Sequence, residues 1–127
     1  MSVPHDYFYS KTHEWVFVID GIATIGITDF AQSQLSDLTF VELPKVDVMI
    51  SSGEEAAVVE SVKAAADVYS PVSGKIIEIN NNLEDAPETI NQDAFKEGWL
   101  FKIKMSDESE LDLLMDSDSY EEICPEE

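Results

Sequence analysis

The chain has 127 residues, 44% of them apolar, which is enough for one domain with a core of its own. It carries 27 acids against seven lysines and no arginine, a formal net charge of −20. That balance excludes a reader of phosphate backbones and disfavours an anionic membrane surface.

No apolar run approaches a membrane span, and MSVPHDYFYSK has neither a secretory nor a transit pattern. A lone cysteine, Cys124, cannot form an internal disulfide. A cytoplasmic protein is expected, or a mitochondrial-matrix one if a leader has been removed.

In HEWVFVIDGIATIGIT two alternating apolar runs flank Asp20-Gly21, a pair suited to the positive φ angles of a two-residue hairpin turn. TDFAQSQLSDL changes period: Thr28 is the expected N-cap, Asp29 suits the positive end of the helix, and Ala31, Leu35 and Leu38 share a face. TFVELP returns to a strand that stops at Pro44, and KVDVMISSGEE reads as a short strand and a turn at Ser51-Ser52-Gly53. AAVVESV and DVYSPV face each other across Lys63-Ala64-Ala65-Ala66 as a second hairpin with Lys63 near its tip. A turn at Ser73-Gly74, the strand KIIEIN, a long polar loop with bends at Pro87 and Gly98, and the strand WLFKIKM follow.

From Ser106 the pattern predicts a helix capped by that serine, with Leu111, Leu114 and Met115 as its apolar stripe. A second short helix carries Tyr120, Ile123 and Cys124 up to Pro125. Residues 106–127 hold ten acids and no base, so they form an amphipathic cap with an acidic outer face. Many short strands with closely spaced turn signals indicate a sandwich or barrel. The expectation is one mainly β domain over residues 1–127, with a short internal helix and a helical cap over 106–127.

Enzyme constellations are missing. His5 and His13 have no metal-site spacing, and the glycines never gather into a phosphate-cradling loop. DSDSYEE alternates acids but lacks the glycine of a calcium loop. His13-Glu14 reads as a structural pair at a strand start, and Cys124 as a packed residue.

Lys63 differs from an ordinary turn lysine. Three alanines after it leave the amine unobstructed, β-branched strands hold the tip at a fixed place, and Glu60 and Asp67 set acids on either side. A stiff hairpin with a long flexible amine suits covalent attachment of a carrier arm.

THEWV, ATIGITDFAQ, TFVELP, VESVKAAADVYSPVSG, EIN and GWLFKIK occur in the order and spacing of the glycine cleavage system H proteins. The chain resembles that family from about Tyr9 to Met105, and its acidic helical end is similar too. The resemblance implies the lipoyl/biotinyl carrier fold, a flattened barrel-sandwich hybrid with the modified lysine at a hairpin tip. It also implies a non-catalytic carrier with lipoate as its covalent cofactor.

Carried over by position, Lys63 is the lipoyl attachment site and Glu60 the acid read by lipoylating enzymes. Glu14 and Asp67 are candidates to meet the ammonium of the loaded arm, an acidic environment that favours a cation. In the family the arm takes an aminomethyl group when glycine decarboxylase, a pyridoxal-phosphate enzyme, acts. It gives that group to a tetrahydrofolate-dependent aminomethyltransferase, and dihydrolipoamide dehydrogenase reoxidises the dithiol. Neither nucleic acid nor membrane is implied as a partner, and a monomer is expected.

Two stretches depart from the family. Asp47 stands where a turn glycine is usual, and aspartate tolerates the left-handed conformation better than most residues. Ala94-Phe95-Lys96 replaces a common Pro-Tyr-Gly, which bears on that loop and on partner contacts more than on lipoylation. Readings that compete with glycine cleavage are a depot relaying lipoyl groups to other enzymes and an acidic interaction module that needs no modification. A biotin carrier fits less well, because Val62 and Ala64 flank the lysine where that family has methionines.

Overall fold

A computed structural model describes residues 3–123. Cys124 and the three residues after it lie outside that range, as do Met1 and Ser2. Among the described residues nine strands form two antiparallel sheets. They are β1 (Phe8–Tyr9), β2 (Glu14–Ile19), β3 (Ile22–Ile27), β4 (Leu38–Glu42), β5 (Met49–Ile50), β6 (Glu55–Ser61), β7 (Ala65–Tyr69), β8 (Gly74–Ile79) and β9 (Phe101–Met105). The larger sheet has the order β1-β2-β3-β9-β8-β5 and the smaller one β4-β6-β7.

Alternation explains the layers. Val16, Ala23, Ile25, Ile76 and Ile103 of the larger sheet share one buried core with Val41, Ala57, Val59 and Val68 of the smaller one. Both inner faces are therefore apolar and shield each other from water, which is the dominant favourable contribution here. This is the expected flattened barrel-sandwich hybrid: two antiparallel sheets, unclosed, with a few short helices.

The outer face of β1 and β2 carries a second cluster of Tyr9, Trp15, Val3 and Tyr120, with Tyr7, Phe17, Phe95 and Trp99 packed against it. Trp15 lies across β3 at Gly26, its register partner. A Cβ on Gly26 would stand 2.6 Å from the indole, so glycine is required by close approach.

The expected hairpin is present, with φ of 53° at Asp20 and 78° at Gly21. Thr28 caps α1 (Asp29–Leu35) by accepting from the Ala31 amide. Leu38, expected on the helix face, instead opens β4 as a buried residue. Asp47 takes a φ of 75°, the left-handed conformation expected of a residue in a glycine's place.

The polar loop before Gly98 contains two single-turn helices, α2 (Asn82–Asp85) and α3 (Thr89–Gln92), which bury Leu83 and Ile90 in the main core. The departure at Ala94-Phe95-Lys96 is well anchored. The Ala94 carbonyl accepts from Trp15 Nε1 at 2.9 Å, and the Phe95 carbonyl accepts from the Tyr7 hydroxyl at 2.7 Å.

The expected helix from Ser106 is a 3-10 helix over Glu108–Leu113, capped by Asp107 and not by the serine. Asp107 accepts from the Ser109 amide and hydroxyl, so a bonded carboxylate outcompetes the hydroxyl for the cap. Leu111 and Leu114 pack on the main core and Met115 on the second cluster, so the apolar stripe is used although its period is not α. The final helix, α4 (Ser117–Ile123), buries Tyr120 as expected.

Candidate functional site

Strands β6 and β7 pair from Glu60↔Ala65 down to Glu55↔Tyr69, leaving Val62 and Lys63 as the hairpin loop. The Ser61 amide donates to the Ala64 carbonyl at 2.7 Å, which closes the loop. Ser61 Oγ accepts from the amides of Lys63 at 3.3 Å and Ala64 at 3.1 Å. Among the described residues no positive φ occurs in this turn, so the serine bonds, with no glycine, hold the tip. Lys63 is exposed and takes no part in either ion pair found among the described residues, Lys75–Asp47 and Lys102–Glu78.

Ala65, Asp67 and Tyr69 alternate on the outward face of β7, while Val68 is buried. Tyr69 leads into a cavity of about 430 Å³. Ser10, Thr12 and Glu14 line it from the β1–β2 turn, Ser52 and Gly53 from the turn before β6, and Ser70 and Pro71 from the end of β7. Leu113, 84% exposed, and Leu114 line it from the end of the 3-10 helix.

Glu14 is the polar centre of that cavity. It begins β2 on the same face as Val16, at the rim of the core, and only 2% of its surface is exposed. One oxygen, Oε1, accepts from the hydroxyls of Ser10 and Thr12. The other, Oε2, accepts from the Tyr69 amide at 3.2 Å, so the carboxylate ties the edge of the smaller sheet to the larger one.

Among the described residues no base pairs with Glu14. Burial raises its pKa, opposed by the hydrogen bonds from Ser10, Thr12, the Tyr69 backbone and its own backbone. A buried carboxylate with no base beside it among the described residues is suited to receive a cation.

The neighbours His13 and Glu14 do not act as a pair. His13 adopts a φ of 72°, and its Nδ1 lies 2.7 Å from the Tyr120 hydroxyl, which lies 2.7 Å from Thr28 Oγ1. Burial pushes the His13 imidazole below its ordinary value, so it is neutral at pH 7. In the Nε2-protonated tautomer Tyr120 donates to His13 and accepts from Thr28. The strained turn carrying Ser10, Thr12 and Glu14 is thereby fastened to α4.

Replacing Tyr120 with phenylalanine leaves a group of half-buried His13 and one of buried Thr28 short of a partner. It is expected to lower unfolding stability by about 1–3 kcal/mol, read from urea denaturation midpoints.

Of the residues singled out from sequence, Glu14 lines the cavity, and Lys63, Glu60 and Asp67 lie on the β6–β7 hairpin outside its lining. Asp67 is exposed and stands one alternate position before Tyr69. Sequence reasoning missed Ser10 and Thr12, whose bonds to Glu14 are local, and Tyr69 and Leu113, whose approach is tertiary; it read Leu114 only as part of an apolar stripe. Ser61 had a readable signal, since serine favours the first position of a β-turn.

The family model described as glycine cleavage H-protein matches residues 7–127. A glycine cleavage system H protein of Shewanella frigidimarina is 50% identical over 127 residues, covering 99% of this chain and 98% of that one. Its counterpart in Thermotoga maritima is 55% identical, covering 94% of this chain and 96% of that one. A crystal structure of a glycine cleavage system H protein from Mycobacterium marinum aligns with a TM-score of 0.85 at 36% identity. That alignment covers 93% of this chain and 95% of the other. The chain belongs to the glycine cleavage H-protein family, the non-catalytic lipoyl carriers of the glycine cleavage system.

Proposed function

We propose that this carrier bears its lipoyl group on Lys63, in amide linkage, and shelters the loaded end of the arm in the cavity around Glu14. The observation that carries this reading is an exposed lysine on a two-residue hairpin loop whose outward strand face leads to a buried carboxylate that forms no ion pair among the described residues. Ala65 to Tyr69 is four steps along β7, roughly 13 Å at about 3.3 Å per residue. That span exceeds a bare lysine side chain and suits a lysine extended by an acyl arm.

The cavity fits such a group in kind. Leu113, Leu114, Pro71 and Tyr69 offer apolar wall to a hydrocarbon chain, and Glu14 offers its carboxylate to a cationic end. When attached, the dithiolane supplies the sulfur chemistry that carries an aminomethyl group from glycine decarboxylase to the aminomethyltransferase and is reset by dihydrolipoamide dehydrogenase.

The chain's own residues present, orient and shield. Ser61 pins the tip, Asp67 supplies negative charge along β7, and Glu14 neutralises the arriving cation while the leucines keep water away. Glu60, half-buried on the outer face of β6, is the acid read by the lipoylating enzyme. The partners are therefore that enzyme and the three enzymes of glycine cleavage, and the compartment is the cytoplasm.

Intact-mass measurement of protein from a lipoate-competent host, with peptide mapping, tests the assignment. One lipoyl increment on the peptide holding Lys63 is the expected result. An unmodified lysine beside active lipoylating enzymes would overturn it and return the acidic interaction module.

A further inference from the structure

Strand β4 breaks its own alternation. Leu38 pairs with Ser61 and Phe40 with Glu60, so two steps on β4 match one step on β6. Thr39 is the extra residue of a β-bulge. Without the bulge, Phe40 would follow Leu38 onto the buried face, because residues two apart share a side. With it, Leu38 and Val41 are buried and Phe40 points outward with 49% of its surface exposed.

The outer face that receives Phe40 is the one behind the Lys63 tip. Across the small sheet its rows run Phe40–Glu60–Ala65 and Glu42–Val58–Asp67. The charged side chains of those rows, Glu42, Glu60 and Asp67, are all acidic. Val62, beside Lys63 in the loop, is 76% exposed. Phe40 is therefore an aromatic side chain turned to water next to Glu60, on a face continuous with the lysine.

Bulges commonly re-aim a side chain beside a functional site, and an exposed aromatic ringed by acids is the composition of an interface anchor with a polar rim. Any enzyme that acylates Lys63 must cover the tip, and this face is contiguous with it.

We propose that Phe40 is a docking anchor for the enzyme that attaches the arm at Lys63. That partner's complementary surface is an apolar socket bordered by basic side chains, which meet Glu42, Glu60 and Asp67. The inference rests on the lipoyl-lysine reading and adds a specificity-determining residue to it.

Steady-state kinetics of lipoyl attachment, with a lipoate-attaching ligase as the enzyme and the full chain as acceptor, test it. Phe40→Ala is expected to raise the KM for the acceptor about tenfold, with kcat and thermal midpoint close to wild type. Phe40→Tyr is expected to restore the wild-type KM. Ile19→Ser, an exposed apolar position on the other sheet, should change neither constant.

Kinetics of Phe40→Ala within about twofold of wild type, or an equal loss in Ile19→Ser, would overturn the anchor. So would normal attachment combined with weakened turnover by the enzymes that use the arm. Failure of the wild-type chain to be modified at all would instead overturn the lipoyl-lysine reading beneath it.

Discussion

Lys63→Arg is expected to abolish both the lipoyl mass increment and the chain's carrier activity in a reconstituted glycine cleavage assay, to background. Arginine keeps the positive charge and the long stem, but its guanidinium stays protonated and offers no free amine to acylate. The position is exposed and bears no ion pair among those formed by the described residues, so the fold has no stake in the side chain. Unfolding stability should stay within about 0.5 kcal/mol of wild type, as for ordinary surface substitutions. Loss of function with an intact fold would separate chemistry from structure.

The same variant discriminates among readings. An acidic interaction module would bind its basic partner as before, whereas a lipoyl depot would fail just as the glycine cleavage carrier does. Transfer assays with purified partner enzymes then separate those last two. Carrier turnover by Lys63→Arg would show that the attachment point lies elsewhere.

Local signals were readable wherever neighbours in sequence settle the conformation. Asp20-Gly21 specifies its own turn, Thr28 caps its own helix, and the β-branched runs on either side of Lys63 specify the hairpin that presents it. The bulge at Thr39 was not readable, because TFVELP alternates acceptably in either register and only pairing with β6 decides between them. Similarly, SDESELDLLM has α-like spacing, yet Leu111 and Leu114 must reach the main core and Met115 the second cluster, and a 3-10 turn delivers them.

The cavity was the least legible feature. Its lining comes from four separate segments, and Glu14 meets the Tyr69 amide only when the two sheets come together. His13-Glu14 shows the limit most plainly. Adjacent in sequence, the two side chains serve different places, one fastening α4 and the other facing the cavity.

Glu14→Gln is expected to shorten the lifetime of the loaded carrier against water by about 10- to 100-fold. That range follows from the roughly 1.5–3 kcal/mol that a hydrogen bond to a charged group contributes. Glutamine fills the same volume and can still accept from Ser10 and Thr12, but it presents no charge to a cation, and its amide nitrogen cannot accept from Tyr69.

The pH dependence gives the sharper readout. Burial holds the Glu14 pKa above its ordinary value, so protonation begins at a higher pH than for an exposed glutamate. Retention by wild type should therefore weaken as pH falls through that raised value, while Glu14→Gln should show the shorter lifetime at every pH. Stability runs the other way. A carboxyl whose pKa is raised by folding contributes fully below its unfolded value, and that contribution is lost as pH rises through the folded one. Acid thus loosens the cargo over the same interval in which this group favours the fold. Parallel measurement of lifetime and unfolding midpoint across pH would resolve the opposed slopes. A wild-type lifetime independent of pH, or one matched by Glu14→Gln, would remove Glu14 from the site.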